Sequence, residues 1–157
     1  MAFMNSINIV GSGLTAQQLR LDIVSENVTN SQTTRTENGD GAYRRKVVVF
    51  EAVSGRDSFR DAMAKAANGL IANTATGASP NAGGVRVTQI VEDESPMKIV
   101  YDPTHPDADE DGYLEMPNVD MVKEIADAMA ASRAYASNVT AFNTLKSVIS
   151  SGLEIGR

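Results

Sequence analysis

The sequence predicts an α+β fold, in which N- and C-terminal helices pair as an antiparallel coiled-coil-like unit beside a small central β module with flexible loops. Both chain ends carry apolar residues at helical spacing, and the middle contains short β-branched runs. Aromatic residues make up only 5%, so the core is expected to consist of small aliphatic and Met side chains. We expect one terminal helix within residues 1–32, the β module within 33–117 and the other helix within 118–157.

The N-terminal helix is predicted over residues 5–30. Apolar residues recur there every three or four positions, as on one face of a helix, with Gln17 as the polar exception. This stripe consists of Ile7, Val10, Leu14, Leu21, Val24 and Val28. Gly11 and Gly13 interrupt it, and each Gly costs about 1 kcal/mol relative to Ala inside a helix. Either the first turn frays and the helix starts near Ser12 or Leu14, or the glycines mark a close helix contact or a bend.

The first half of the β module is predicted to be a loop followed by a strand. Residues 29–43 have few apolar side chains and contain the turn sequence Asn-Gly-Asp-Gly, which indicates a loop. Residues 44–53 are rich in β-branched side chains, which predicts a strand. Residues 54–84 carry turn and low-complexity sequence in which only a short helix is expected.

The second half of the β module is predicted to be a hairpin followed by a loop. Residues 84–103 contain two runs of alternating character around a turn at Ser95 and Pro96, so we expect the two runs to pair with each other. Residues 102–117 are acidic and bounded by prolines, which indicates a loop.

The closing helix is predicted to begin at Asn118 as its N-cap, with Asp120 favoured in the first turn by the helix dipole. Its stripe, in which Lys146 is the polar exception, consists of Met121, Ile125, Ala128, Ser132, Tyr135, Val139, Phe142, Ile149 and Leu153. At the rise of an α-helix it spans roughly 50 Å and is longer than the N-terminal helix. Part of its stripe therefore has no cover within the chain, which predicts contact with another subunit.

Composition and charge disfavour several classes of function. The formal net charge is −6, and an acidic chain gains nothing from counterion release on nucleic acid. The one basic run, Arg44-Arg45-Lys46, is expected to form a solvated strand edge that could contact neighbouring subunits. The absence of Cys excludes disulfides, thiolate zinc sites and thiol nucleophiles. We expect neither a cleaved signal peptide nor a membrane-spanning helix, and the terminal helices lack the basic face typical of membrane-surface helices.

Two features could suggest chemistry, and both favour a structural explanation. Asp107, Asp109, Asp111 and Gly112 match the first half of a calcium-binding EF-hand loop, but Asn118 stands where the ligand Glu should be. The expected structure is a solvated acidic turn with an unusual φ at Gly112. His105 is the only His, and a proline-flanked charged loop is a poor place for catalysis. We therefore expect no enzyme, no cofactor, no metal site and no small-molecule substrate. The alternatives are a soluble coiled-coil adaptor and an acidic calcium-binding module.

Four segments of the chain together resemble the flagellar basal-body rod family, and within it the proximal-rod type. They cover both ends and the flanks of the centre, roughly two thirds of the chain, and are least informative over 54–84. The segments are SGLTAQQLRLDIVSENVTNSQTTRT, YRRKVVVFE, HPDADEDGYLEMPNVD and ASRAYASNVTAFNTLK, followed by a terminal GR.

The resemblance implies a structural subunit of the hollow drive shaft that crosses the periplasm, transmits torque and lets export substrates pass. It implies passage through the flagellar type III export apparatus without a cleaved signal. The implied partners are copies of the chain, other rod proteins, and basal ring and rod-adaptor proteins. The apolar stripes at the two chain ends are then expected to form the assembly interface.

Overall fold

The computed structural model describes residues 2–36, 41–53 and 83–155, with only the backbone described at 2–4 and 155. The short helix expected over residues 59–71 lies outside these ranges. In chain order the elements are α1 (Ala2–Thr29), β1 (Lys46–Ala52), β2 (Val85–Glu92), β3 (Lys98–Tyr101), β4 (Tyr113–Met116) and α2 (Met121–Ile155).

The two helices pack side by side and antiparallel, which confirms the predicted fold class. Asn27 near the end of α1 contacts Glu124 near the start of α2, and Gly13 lies against Asn138 further along α2. The small side chains of Ala16 and Ala131 are almost fully buried, which allows close approach of the backbones. Helix α2 has 35 residues against 28 in α1, so its last turns extend past its partner.

Of the two glycines in α1, only Gly13 marks a close helix contact, which was one of the alternatives proposed for them. Helix α1 begins at Ala2 and continues through Gly11 and Gly13, so the frayed start is wrong. A Cβ added to Gly13 would lie 2.9 Å from Asn138 Nδ2, whereas one added to Gly11 would meet nothing within 4 Å. Gly13 therefore serves the helix contact, and packing on α2 outweighs the weak helix propensity of this segment.

The four strands form two separate two-stranded antiparallel sheets, so the predicted hairpin is wrong. Strand β2 pairs with β1, in a register from Lys46↔Glu92 to Ala52↔Val85 that a bulge interrupts after Val49. Strand β3 pairs instead with β4, which lies in the segment predicted to be an acidic loop. The Asn118 side-chain amide donates to the carbonyls of Asp93 and Ser95 between β2 and β3, and these bonds hold that link in a non-hairpin path.

The first sheet lies along α1 and is attached at two points. The Asn27 side chain bonds both the N–H and the carbonyl of Lys46 at the start of β1. Ser12 Oγ accepts a 3.1 Å hydrogen bond from the N–H of Val85 at the start of β2. The preceding Gly84 has φ of +96° and lies so close to Ser12 that a Cβ could not be accommodated.

The start of α2 differs from the prediction by a few residues. Asp120 is the N-cap, because its Oδ1 accepts a 3.0 Å bond from the N–H of Val122. Asn118, predicted as the cap, instead uses its Oδ1 to accept from the N–H of Arg45. The acidic turn before β4 has the expected positive φ at Gly112, +78°.

Candidate assembly site

A buried group of polar side chains joins the two helices to the β module. We call it the polar cluster, and it consists of Asn27, Tyr43, Arg45 and Glu124. Glu124 is 0% exposed and Asn27 is 1% exposed. Glu124 Oε1 accepts a 2.6 Å bond from Arg45 Nε, and its Oε2 accepts a 3.1 Å bond from Asn27 Nδ2. A carboxylate can be buried here because it is both hydrogen-bonded and charge-paired.

Asn27 uses its whole hydrogen-bonding capacity inside the polar cluster. Its Oδ1 accepts from the Tyr43 hydroxyl and from the N–H of Lys46, each at 2.9 Å. Its Nδ2 donates to the carbonyl of Lys46 at 2.9 Å as well as to Glu124. One amide thus fixes α1, α2 and the start of β1 relative to each other.

The surroundings of the polar cluster shift three pKa values in directions that follow from their contacts. Burial, followed by the charges of Glu26 and Glu124, raises the pKa of Tyr43 well above its ordinary value. Desolvation is the largest single influence and opposes ionisation of Arg45, but the hydrogen bonds and charges of Glu124 and Asp93 together outweigh it, so the pKa of Arg45 is raised. The Ser95 hydroxyl and N–H, together with Arg45, lower the pKa of Asp93.

The basic run has a different role from the one expected. Arg45 is ion-paired with Glu124 and, at 3.4 Å each, with Asp93 and Asp127, so it is not part of a solvated strand edge. Lys46 is half-buried and pairs with Glu26. Of the three basic residues Arg44 alone is exposed.

The predicted stripe of α1 is mostly covered. Val24 is buried, and the remaining members of the stripe, each half-buried, are Ile7, Val10, Leu14, Leu21 and Val28. The polar exception Gln17 is also half-buried, and its Oε1 has no hydrogen-bond partner among the described residues.

The predicted stripe of α2 is divided between covered and uncovered positions. Its half-buried members are Ala128, Tyr135, Val139 and Ile149, and its exposed members are Met121, Ile125, Ser132, Phe142 and Leu153. The positions buried against α1 are Glu124 and Ala131, which the stripe omitted. Sequence reasoning missed Glu124 because a helical Glu is usually solvated.

An unpartnered apolar line therefore remains on the outer side of α2. We call it the α2 stripe, a name used from here on for Val122, Ile125 and Met129 and not for the set predicted from the sequence. Of these three side chains, Val122 is 75% exposed. Their spacing of three and four residues places them on one face of the helix, turned away from Glu124 and Ala131. Val122 and Met129 were not in the predicted set.

A second apolar surface lies on the sheet of β3 and β4. We call it the tyrosine face, and it consists of Ile99, Tyr101 and Tyr113. The register Ile99↔Glu115 and Tyr101↔Tyr113 puts these side chains on one side of the sheet. Ile99 is 69% exposed, and the two tyrosine rings meet edge to face with centroids 5.3 Å apart. The opposite side carries Leu114, which is buried.

The acidic turn is organised by the chain's own hydrogen bonds. The Thr34 hydroxyl donates to Asp107 at 2.9 Å, and the N–H of Gly112 donates to the carbonyl of Asp109. His105 Nδ1 accepts from the N–H of Asp107. Within the ranges that the structure describes, no group of three acidic or His side chains is placed to hold a metal ion, and no helix is long and apolar enough to cross a membrane.

Comparison with known proteins places both chain ends in related families. Residues 7–35 match the family described as flagella basal body rod protein, and residues 110–155 match the C-terminal family of the flagellar basal body rod FlgEFG protein. Over the whole chain, the protein is similar to the flagellar basal-body rod protein FlgC of Bacillus subtilis, with 42% identity and 100% of each chain covered.

Further relatives agree. The FlgC protein of Borreliella burgdorferi is 40% identical, covering 99% of this chain and 98% of its own. That of Escherichia coli O6:H1 is 38% identical and covers 100% of both. These comparisons support neither the adaptor nor the calcium-binding alternative.

Proposed function

The chain belongs to the family of flagellar basal-body rod proteins of the FlgC type and is a structural subunit of that rod; we propose that it polymerises through its terminal helices. The residues proposed for the interface on the N-terminal helix are Ile7, Val10, Leu14, Leu21, Val24 and Val28. Those on the C-terminal helix are Met121, Ile125, Ala128, Tyr135, Val139, Phe142, Ile149 and Leu153.

One observation carries this proposal: the two helices bury side chains against each other and the β module at only one end of the helix pair. Every fully buried side chain described on α1 lies between Ala16 and Asn27, and on α2 the buried ones are Glu124 and Ala131. From Ser132 to Glu154 no side chain is fully buried, and Leu153 is 71% exposed. Burying these apolar side chains against other helices would stabilise the assembly at about 25 cal/mol per Å².

The division of the chain follows from the same proposal. Residues 1–32 and 118–157 form the axial part that packs with neighbouring subunits, and residues 33–117 form a β module outside the helical tube. The two attachments of the first sheet, at Asn27 and Ser12, support a fixed orientation of that module on α1.

The remaining details are proposed from the family resemblance. The subunit belongs to the proximal part of the rod, crosses the periplasm with it, and contacts basal ring and adaptor proteins. It reaches that place through the flagellar export apparatus, without a cleaved signal. It performs no catalysis, in keeping with the placement of its only His on a turn whose contacts are internal.

The experiment is complementation in the bacterium that encodes the chain, with the chromosomal copy deleted. We expect the deletion to abolish swimming and the intact chain to restore it. Phe142→Asp and Leu153→Asp each put a charge on the incomplete half of the helix pair, so both should abolish swimming and remove the rod from isolated basal bodies. Circular dichroism of the purified variants should remain that of the folded chain.

Ile90→Asp is the matched control, because Ile90 is an apolar residue of the β module, 46% exposed. We expect it to retain swimming. Normal swimming of the deletion strain would refute the role in the rod, and normal swimming of both helix variants would refute assembly through the terminal helices.

A further inference from the structure

Two uncovered apolar surfaces of this chain have rims of opposite charge. The tyrosine face is bordered by acidic residues: Glu115 is the cross-strand partner of Ile99, and Asp109 helps Ile99, Tyr113 and Leu114 line a shallow groove. Glu110 and Asp111 are exposed on the adjoining turn. None of these four carboxylates has an ion-pair partner within the described ranges.

The α2 stripe has the complementary charge. The three carboxylates of this part of α2 are all occupied within the chain: Asp120 caps the helix, Glu124 is in the polar cluster and Asp127 pairs with Arg20. Lys123 and Arg133 are exposed and make no ion pair with any residue that the structure describes. The free charge around Val122, Ile125 and Met129 is therefore positive.

We propose that the tyrosine face of one subunit packs on the α2 stripe of a second copy of the same chain. This inference rests on the proposed function, and it adds which two surfaces meet. An apolar side chain such as Met129 would enter the groove beside Tyr113, with Arg133 near Glu115. Aromatic side chains that are already packed on each other, as Tyr101 and Tyr113 are, lose little freedom on binding and are typical interface anchors.

The charges select this arrangement over a symmetric one. Packing two tyrosine faces together would oppose the carboxylates of Asp109, Glu110 and Glu115 in a chain whose net charge is already −6. Because the two surfaces differ, the contact is head-to-tail. Head-to-tail contacts that do not close into a ring repeat as an open helical array, which is the form a rod requires.

The direct test is disulfide crosslinking in basal bodies, since the chain itself contains no Cys. Tyr113→Cys and Met129→Cys are combined in one chain that complements the deletion. We expect oxidation to give a ladder of crosslinked copies, because each subunit offers both halves of the contact. Each single-Cys variant should give no dimer of this chain.

The named alternatives each have a distinct result. A dimer from Tyr113→Cys alone would show a symmetric contact and overturn the proposal. Crosslinks from Tyr113→Cys to a different protein would show a heterologous partner and overturn it too. A rod that assembles with no crosslink from the double variant would refute this contact while leaving the proposed function intact.

A charge-reversal pair tests the complementarity. Glu115→Arg and Arg133→Glu should each reduce swimming, and the chain that carries both should recover part of it. Arg86→Glu, which reverses a cation 63% exposed on the first sheet and away from both surfaces, is the control and should swim normally. If the double reversal swims no better than either single variant, the pairing of these two rims is wrong.

Discussion

At the residue scale, the most consequential position is Glu124. A carboxylate with no exposed surface would be costly if left unpaired, and here Arg45 and Asn27 satisfy both of its oxygens. Asn27 in turn binds the backbone at Lys46. Tyr43 and Arg45, which precede β1, supply hydrogen bonds to Asn27 and Glu124. The packing of α1 against α2 in the polar cluster therefore depends on the correct placement of that segment.

Removal of one partner from the polar cluster should be strongly destabilising. Arg45→Met leaves Glu124 buried without its cation, and we expect a loss of about 3–5 kcal/mol in the free energy of unfolding, measured with urea. The chain with both Arg45→Met and Glu124→Met should recover a large part of that loss. Arg86→Met, which breaks only the exposed pair with Glu51, should change stability by about 0.5 kcal/mol or less. A double variant as unstable as Arg45→Met alone would contradict the argument.

Tyr43 should give the folded chain an alkaline sensitivity. Its pKa is raised in the folded state, so its contribution to stability is fully present below the unfolded pKa of about 10 and is lost as pH rises above it. Tyr43→Phe should cost about 1 kcal/mol at neutral pH, because the bond to Asn27 is lost.

The pH dependence of the unfolding free energy distinguishes the coupling of Tyr43 ionisation to folding from a simple loss of packing in Tyr43→Phe. Above pH of about 10 the unfolding free energy of the parent chain should fall faster than that of Tyr43→Phe, so the difference between them narrows. Tyr101→Phe, on the exposed tyrosine face, should keep the steeper decline of the parent. Parallel curves for the parent and Tyr43→Phe would show that Tyr43 ionisation is not coupled to folding.

At the scale of the elements, α1 carries two glycines with different reasons to be there. Gly13 lies where α2 approaches closely, and Asn138 occupies the space that a side chain would need. Gly11 has open space beside its Cα. Gly13 is therefore required by the packing of the two helices, whereas Gly11 is not.

Alanine at the two positions should have different effects on stability. Gly11→Ala should raise the free energy of unfolding by about 0.5–1 kcal/mol, through helix propensity alone. Gly13→Ala should gain less, because the Asn138 side chain must move away. Gly13→Leu should destabilise the chain, since a larger side chain must separate the helices. Thermal unfolding followed by circular dichroism measures all three, and a Gly13→Leu variant as stable as the parent would refute the close contact.

At the scale of the whole molecule, burial is concentrated at one end. The polar cluster, the starts of β1 and α2, and the buried parts of both helices lie together, while the other end of the helix pair has no fully buried side chain described. Local stability follows burial and hydrogen bonding. In a free subunit we therefore expect high local stability around Asn27 and Glu124, and low local stability towards the chain ends.

Hydrogen exchange on the dilute chain checks this distribution. We expect the slowest amides of the helices at 20–28 and 124–131, and rapid exchange from 143 to 155. In isolated basal bodies the latter segment should become protected, because other subunits then cover it. If the amides of α2 were equally protected from exchange along its whole length in the dilute chain, the proposal that the second half of α2 lacks cover within the subunit would be wrong.

The sequence by itself determined that this protein has two terminal helices and short strands, because helical and strand periodicity depend on neighbouring residues alone. It could also predict the antiparallel helix pair and the acidic turn at Gly112. Only the tertiary structure decided that β2 pairs with β1 and β3 with β4, that Asp120 rather than Asn118 caps α2, and that Arg45 is ion-paired with Glu124. Strand pairing and the burial of charge depend on residues far apart in the chain. A Glu that looks solvated in sequence is buried in the fold because Arg45 and Asn27 reach it from elsewhere.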